Sequence, residues 1–77
     1  MNENFNHKLC LTYMCKLQFW HAGASDRIMQ IEDWLTDNIG NENYDFTFED
    51  IEWRGEWMLY TRSKEDLTAF MLRWSSV

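Results

Sequence analysis

From Leu9 to Phe19 every odd position carries an apolar or aromatic side chain: Leu9, Leu11, Tyr13, Cys15, Leu17 and Phe19. The even positions between them include Thr12, Lys16 and Gln18. Successive side chains of a β-strand point to opposite faces, so period two over this length predicts one long strand, Leu9–Trp20. Translation from Met14 rather than Met1 would shorten that strand.

The period then changes. Ala22-Gly23-Ala24 breaks the strand, Ser25 offers a helix N-cap, and Asp26 stands at the positive end of the helix dipole. At 100° per residue Ile28, Ile31, Leu35 and Ile39 share one stripe, with Asp26, Asp33 and Asp37 opposite. Gly40 is the expected stop. Alternation returns at Tyr44, Phe46 and Phe48, then slips parity to Ile51 and Trp53, which predicts a β-bulge at Glu49-Asp50. Glu56–Thr61 reads as a third strand. Ser63-Lys64-Glu65-Asp66 caps a second helix whose stripe is Leu67, Phe70, Met71 and Trp74.

The order β-α-β-β-α defines an α+β fold. A crossover between parallel first and second strands leaves a gap that the third can fill. The expectation is a ferredoxin-like split βαβ lacking its last strand: a three-stranded sheet with two helices on one face. The missing strand would pair with β1, so Leu9–Trp20 is expected to expose a free edge and to form a homodimer through it.

The chain has no proline, linker, repeat or low-complexity tract, so residues 1–77 read as one domain, with the polar residues 1–8 flexible. A chain of 77 residues buries a modest fraction of its surface, and thirteen aromatic rings exceed what so small a core hides. Some are expected at the surface, where Trp and Tyr anchor protein contacts. Between Asp26 and Glu56 there are ten acids and two bases; the remainder has three acids and five bases, for a net charge of −6. Such a field disfavours direct nucleic-acid binding and favours a partner with a basic surface. No apolar run is long enough to span a membrane, and the N-terminus lacks signal-peptide character, so a cytoplasmic location with reduced thiols is expected.

Residues 52–57, EWRGEW, set two Glu-Trp pairs about Arg54-Gly55. A three-residue loop Trp53-Arg54-Gly55 ending in a bulge would place Glu52 across from Glu56, with Arg54 relieving the repulsion. The same residues can instead present Glu52, Trp53, Glu56 and Trp57 as an exposed tip, continuous in charge with Asp26, Asp33 and Asp37. Both readings stay open on sequence alone.

Catalytic chemistry finds little support. His7, Cys10, Cys15 and His21 are all possible zinc ligands, but donors spread along one strand cannot converge on a tetrahedral ion, and no metal or other cofactor is expected. Cys10 or Cys15 with His21 lacks an orienting group, and Asp33 with Asp37 lies on a solvated helix face. No catalytic residue is assigned. Arg62, Ser63 and Lys64 at the start of the second helix, with Tyr60 nearby, could hold a phosphate, which keeps open a homo-oligomer that sequesters a nucleotide-like ligand.

The stretch SKEDLTAFMLRW, Ser63–Trp74, resembles the ending of small uncharacterised bacteriophage proteins that close on a Phe-x-Leu-Arg-Trp helix. The matching residues are Glu65, Asp66, Ala69, Phe70, Leu72, Arg73 and Trp74, within a stretch that covers about a sixth of the chain. This likeness implies a phage origin and a small α+β fold, and it implies no activity. With the acidic block, it leads to the expectation of a non-enzymatic accessory protein in the host cytoplasm. Such a protein would bind and inhibit a host factor or defence system; a structural or assembly role is the remaining alternative.

Overall fold

The computed structural model describes residues 5–75. The elements are β1 (His7–Cys10), α1 (Ala24–Asn38), a 3₁₀ turn at Asn41–Asn43, β2 (Tyr44–Ile51), β3 (Arg54–Thr61) and α2 (Lys64–Trp74). The three strands form one sheet in the order β1-β3-β2. β3 is antiparallel to both neighbours, so β1 and β2 run parallel with α1 as their crossover. This is the expected β-α-β-β-α architecture with β3 inserted between β1 and β2.

β1 is much shorter than Leu9–Trp20. Its register sets His7 opposite Thr61 and Cys10 opposite Met58, so continuing it would bring Met14 to Arg54, the first residue of β3. A longer strand would leave the sheet with its backbone unpaired. The chain instead coils into one helical turn. Cys15 N–H donates to the Leu11 carbonyl (2.9 Å), Leu17 N–H to Thr12 (2.8 Å), and Lys16 N–H to Tyr13 (3.4 Å). Lys16 has φ +57°, so the turn ends as a Schellman motif with lysine at its left-handed residue. Leu11, Met14 and Cys15, spaced i, i+3, i+4, supply the apolar side that makes the turn worth forming. Leu11 and Cys15 are fully buried and Met14 packs against them.

The helices cover one sheet face. Ile31 and Leu35 of α1 and Phe70 and Trp74 of α2 enclose Leu59 and Tyr44 together with Leu11, Cys15 and Leu17. Full burial of an aliphatic or Phe side chain contributes about 1.5–3 kcal/mol relative to leaving it in water. Met71, expected on the α2 stripe, faces solvent. Ser63 caps α2 as expected, its Oγ accepting from Asp66 N–H at 3.1 Å. α1 begins two residues earlier than a Ser25 cap would place it: Gly23 is the N-cap, with φ +79°. Gly40 follows the end of α1 with φ +94°, its N–H bonded to the Leu35 carbonyl.

One further expectation is corrected. β2 and β3 pair without a bulge from Tyr44–Thr61 to Ile51–Arg54, so Phe48 and Ile51 lie on opposite faces. Of residues 1–8, expected to be flexible, the second half takes part in contacts and in β1. Phe5 lies beneath the Arg62 guanidinium (4.7 Å to the ring centre), and His7 and Lys8 belong to β1; residues 1–4 fall outside the described residues. No described helix is long and apolar enough to cross a membrane.

Candidate binding surface

The β2–β3 turn is a two-residue loop, Glu52-Trp53, closed by the Ile51–Arg54 pair. It replaces the expected three-residue loop. Both residues have positive φ, +50° and +70°, the conformation of a type I′ turn. Left-handed backbone costs a non-glycine residue about 1–2 kcal/mol. Here it holds Trp53 97% exposed.

Gly55, which sequence reasoning put in the loop, is a strand residue opposite Asp50. The space a side chain would fill there is taken by the ring of Phe48. Phe48 in turn makes an edge contact with Trp57 (ring centres 5.1 Å), and Trp57 stacks obliquely on Phe46 at the same distance.

Four of the seven residues expected to form one acidic-aromatic contact surface do not do so as a hexapeptide tip. Glu52 and Trp53 are exposed at the turn. Trp57 is half-buried on the helix-covered face. Glu56 points to the opposite face and is only 5% exposed. Its direct neighbour across the strands is Glu49, not Glu52. The Glu56 carboxylate is met by Arg54 Nε at 3.7 Å and by the Cys10 thiol, which donates at 3.5 Å. Asp26, Asp33 and Asp37 are exposed on α1 as expected.

A larger aromatic surface gathers where the 11–23 segment meets the hairpin. Arg27 of α1 organises it: Nε donates to the Cys15 carbonyl (2.9 Å) and Nη2 to the Lys16 carbonyl (2.6 Å). Thr12 Oγ1 accepts the Trp57 N–H at 2.8 Å, so a hydroxyl takes the place of the next β1 residue in the ladder. Beyond this anchored turn the chain projects Phe19, 91% exposed, and Trp20, whose rings meet edge to face at 5.2 Å. Trp20 stacks on His21. Two adjoining clefts, of about 480 and 360 Å³, share Leu17, Phe19, Phe48 and Trp57 as walls. Asp26 edges the first; Tyr13, Trp20 and Arg54 edge the second. Phe19 and Tyr13 were legible as ring-bearing residues but not as surface, because the strand reading turned them inward; Trp20, on the other parity, was not singled out.

The possible zinc ligands are dispersed. Cys10 bonds to Glu56, Cys15 is buried in the core, and His21 lies against Trp20. Among the described residues no group of three or more His, Cys, Asp or Glu is placed to hold a metal ion. Burial pushes the Cys15 thiol up to about 11, against a smaller opposing effect of Arg27, which makes it a poor nucleophile at neutral pH.

The basic spot at α2 is occupied by internal contacts. Arg62 Nε donates to the Glu42 carbonyl at 2.6 Å while its guanidinium covers Phe5, and Ser63 Oγ caps Asp66. Tyr60 faces the other side of the sheet, donating its hydroxyl to Glu49 at 2.7 Å. That hydrogen bond, with burial and the charges of Glu49 and Asp45, raises Tyr60 to about 12. Lys64 is exposed at the first turn of α2, and Arg62, Ser63, Lys64 and Tyr60 do not converge on one ligand.

Comparison with protein-family models, with curated proteins and with solved structures finds no match to this chain.

Proposed function

We propose that this chain acts by stoichiometric protein binding, inhibiting a host factor or defence component, as the phage origin implied by its C-terminal likeness suggests. The observation that carries the reading is the exposure of Phe19 and Trp20 beside Phe48 and the two clefts, with Trp53 exposed separately at the hairpin turn. Exposed rings of this size incur hydration cost without stabilising the monomer, and contiguous apolar surface rimmed by polar groups marks interaction sites. Buried Trp and Tyr anchors commonly account for about 2 kcal/mol or more of binding each. The exposed Asp26, Asp33 and Asp37 add long-range attraction toward a basic partner surface.

The test uses the full chain as bait in host lysate at low and high salt. Two variants accompany it: Phe19→Ala/Trp20→Ala/Trp53→Ala, and Asp26→Lys/Asp33→Lys/Asp37→Lys. A single partner should be lost by the aromatic variant at both salt concentrations. The charge variant should capture it more slowly at low salt and similarly at high salt. Equal capture by wild type and aromatic variant eliminates this surface.

A further inference from the structure

The β2–β3 hairpin fixes which backbone groups of β2 are used. In a two-residue hairpin the closing pair, Ile51 and Arg54, exchanges both hydrogen bonds, and bonded pairs then recur every second residue. Glu49, Thr47 and Asp45 therefore bond to β3, while the N–H and C=O of Asp50, Phe48 and Phe46 point away from it. The other side of β3 agrees. Its non-bonded partner to Phe48 is Trp57, whose carbonyl and N–H are taken on the β1 side by Leu11 and Thr12.

Among the described residues nothing pairs with the outer edge of β2, which is the last strand of the sheet. It is eight residues long, unbulged and free of proline or lysine. Of the devices that blunt natural edges it carries only charge, Asp45, Glu49 and Asp50, all of one sign. β1 offers far less: on its outer side only Lys8 and Cys10 have outward backbone groups.

We infer that the outer edge of β2 accepts an extended peptide strand from a partner, with basic residues at alternate positions on the uncovered sheet face. This inference rests on the protein-binding reading and names the chemistry of the bound segment. The uncovered face carries Asp45, Glu49 and Glu56, and the two acids on β2 are four residues apart, about 13 Å along a strand. An added strand with Lys or Arg at positions i and i+4 sets each cation beside one carboxylate. Its residues at i+1 and i+3 fall on the other face, next to Phe46 and Phe48, and should be apolar. The main-chain bonds supply affinity and the alternating side chains supply selectivity. A second copy of this chain is a poorer occupant, because β2 carries Asp45, Glu49 and Asp50 and a β2–β2 pair would bring six carboxylates together.

The probe is a blocked heptapeptide with Lys at its second and sixth positions, Val at the third and fifth, and Thr between. Amide hydrogen exchange and NMR shifts of the full chain should show new protection at the N–H of Phe46, Phe48 and Asp50 alone within β2. The same peptide with Glu for Lys should bind about tenfold more weakly or worse, since two partly exposed charge pairs are reversed. Asp45→Lys/Glu49→Lys should invert that preference, which separates a charge effect from misfolding. Phe19→Ala/Trp20→Ala should leave peptide binding intact, so a lost cleft partner with a functioning edge is read separately from a dead edge. Absence of protection at those three amides, no discrimination between the Lys and Glu peptides, or protection that grows with protein concentration without peptide would each overturn the inference, the last in favour of self-pairing.

Discussion

Arg27 of α1 donates to the carbonyl of Cys15, twelve residues earlier, and its second nitrogen takes the neighbouring carbonyl of Lys16. One guanidinium thus closes the helical turn that redirects the chain from β1 toward α1. A charged hydrogen bond contributes about 1.5–3 kcal/mol net, and stranding two carbonyls adds to the loss. Arg27→Met, which keeps the apolar stem, should destabilise the chain by about 2–3 kcal/mol in urea denaturation. Arg27→Lys should recover only part, because an ammonium cannot copy the fork geometry.

Gly55→Ala should also destabilise, by about 1 kcal/mol, because the new methyl meets the Phe48 ring and displaces it from its place over the strand. In Phe48→Leu the branched side chain leaves more room, and the same Gly55→Ala change should cost less there. A double-mutant cycle measured by chemical denaturation checks the coupling; additive effects would remove the proposed steric cause.

The hairpin turn makes the opposite prediction. Glu52→Asn/Trp53→Gly installs the residue pair that a type I′ turn prefers, and should raise stability by about 1–2 kcal/mol. If Trp53 is part of the partner-binding surface, the same variant should capture its partner more weakly. A gain in denaturation midpoint with undiminished capture would detach the turn's strain from binding.

Alkaline pH should weaken the fold. Cys15 rises from 9.0 to about 11 and Tyr60 from 10.0 to about 12 on folding, so both stay protonated in the native state while the unfolded chain ionises. Their stabilising contribution is complete below pH 9 and is lost as pH climbs through 11 and 12. Urea midpoints across that range should fall, and Tyr60→Phe should flatten the upper part of the decline. In the native state a thiol reagent should label half-buried Cys10 well before fully buried Cys15.

Much of the architecture could be read from periodicity. The Ile31–Leu35 stripe, the Ser63 cap and the insertion of β3 all follow from local patterns that the packed core reinforces. The failure at Leu9–Trp20 has a specific origin. Leu11, Met14 and Cys15 satisfy a helical spacing inside a period-two run, and the length of β3, a property of another segment, decides between them. The turn at Glu52-Trp53 was hidden for a related reason. Gly55 looked like a loop residue, yet it serves the Phe48 ring across the sheet, and the positive φ angles fall on residues whose chemistry disfavours them. The surface was therefore legible as composition and illegible as placement: Trp53 and Glu52 are exposed as expected, Phe19 was turned the wrong way, Trp20 was passed over, and Glu56 was assigned to solvent.

The Thr12 hydroxyl that takes the Trp57 N–H ends the ladder on the β1 flank after a single short strand. The β1 flank is thereby left with only the outward groups of Lys8 and Cys10, while β2 presents a full-length edge. Two edges of such unequal length favour capped complexes over an extended ribbon, since propagation needs both margins to pair comparably well.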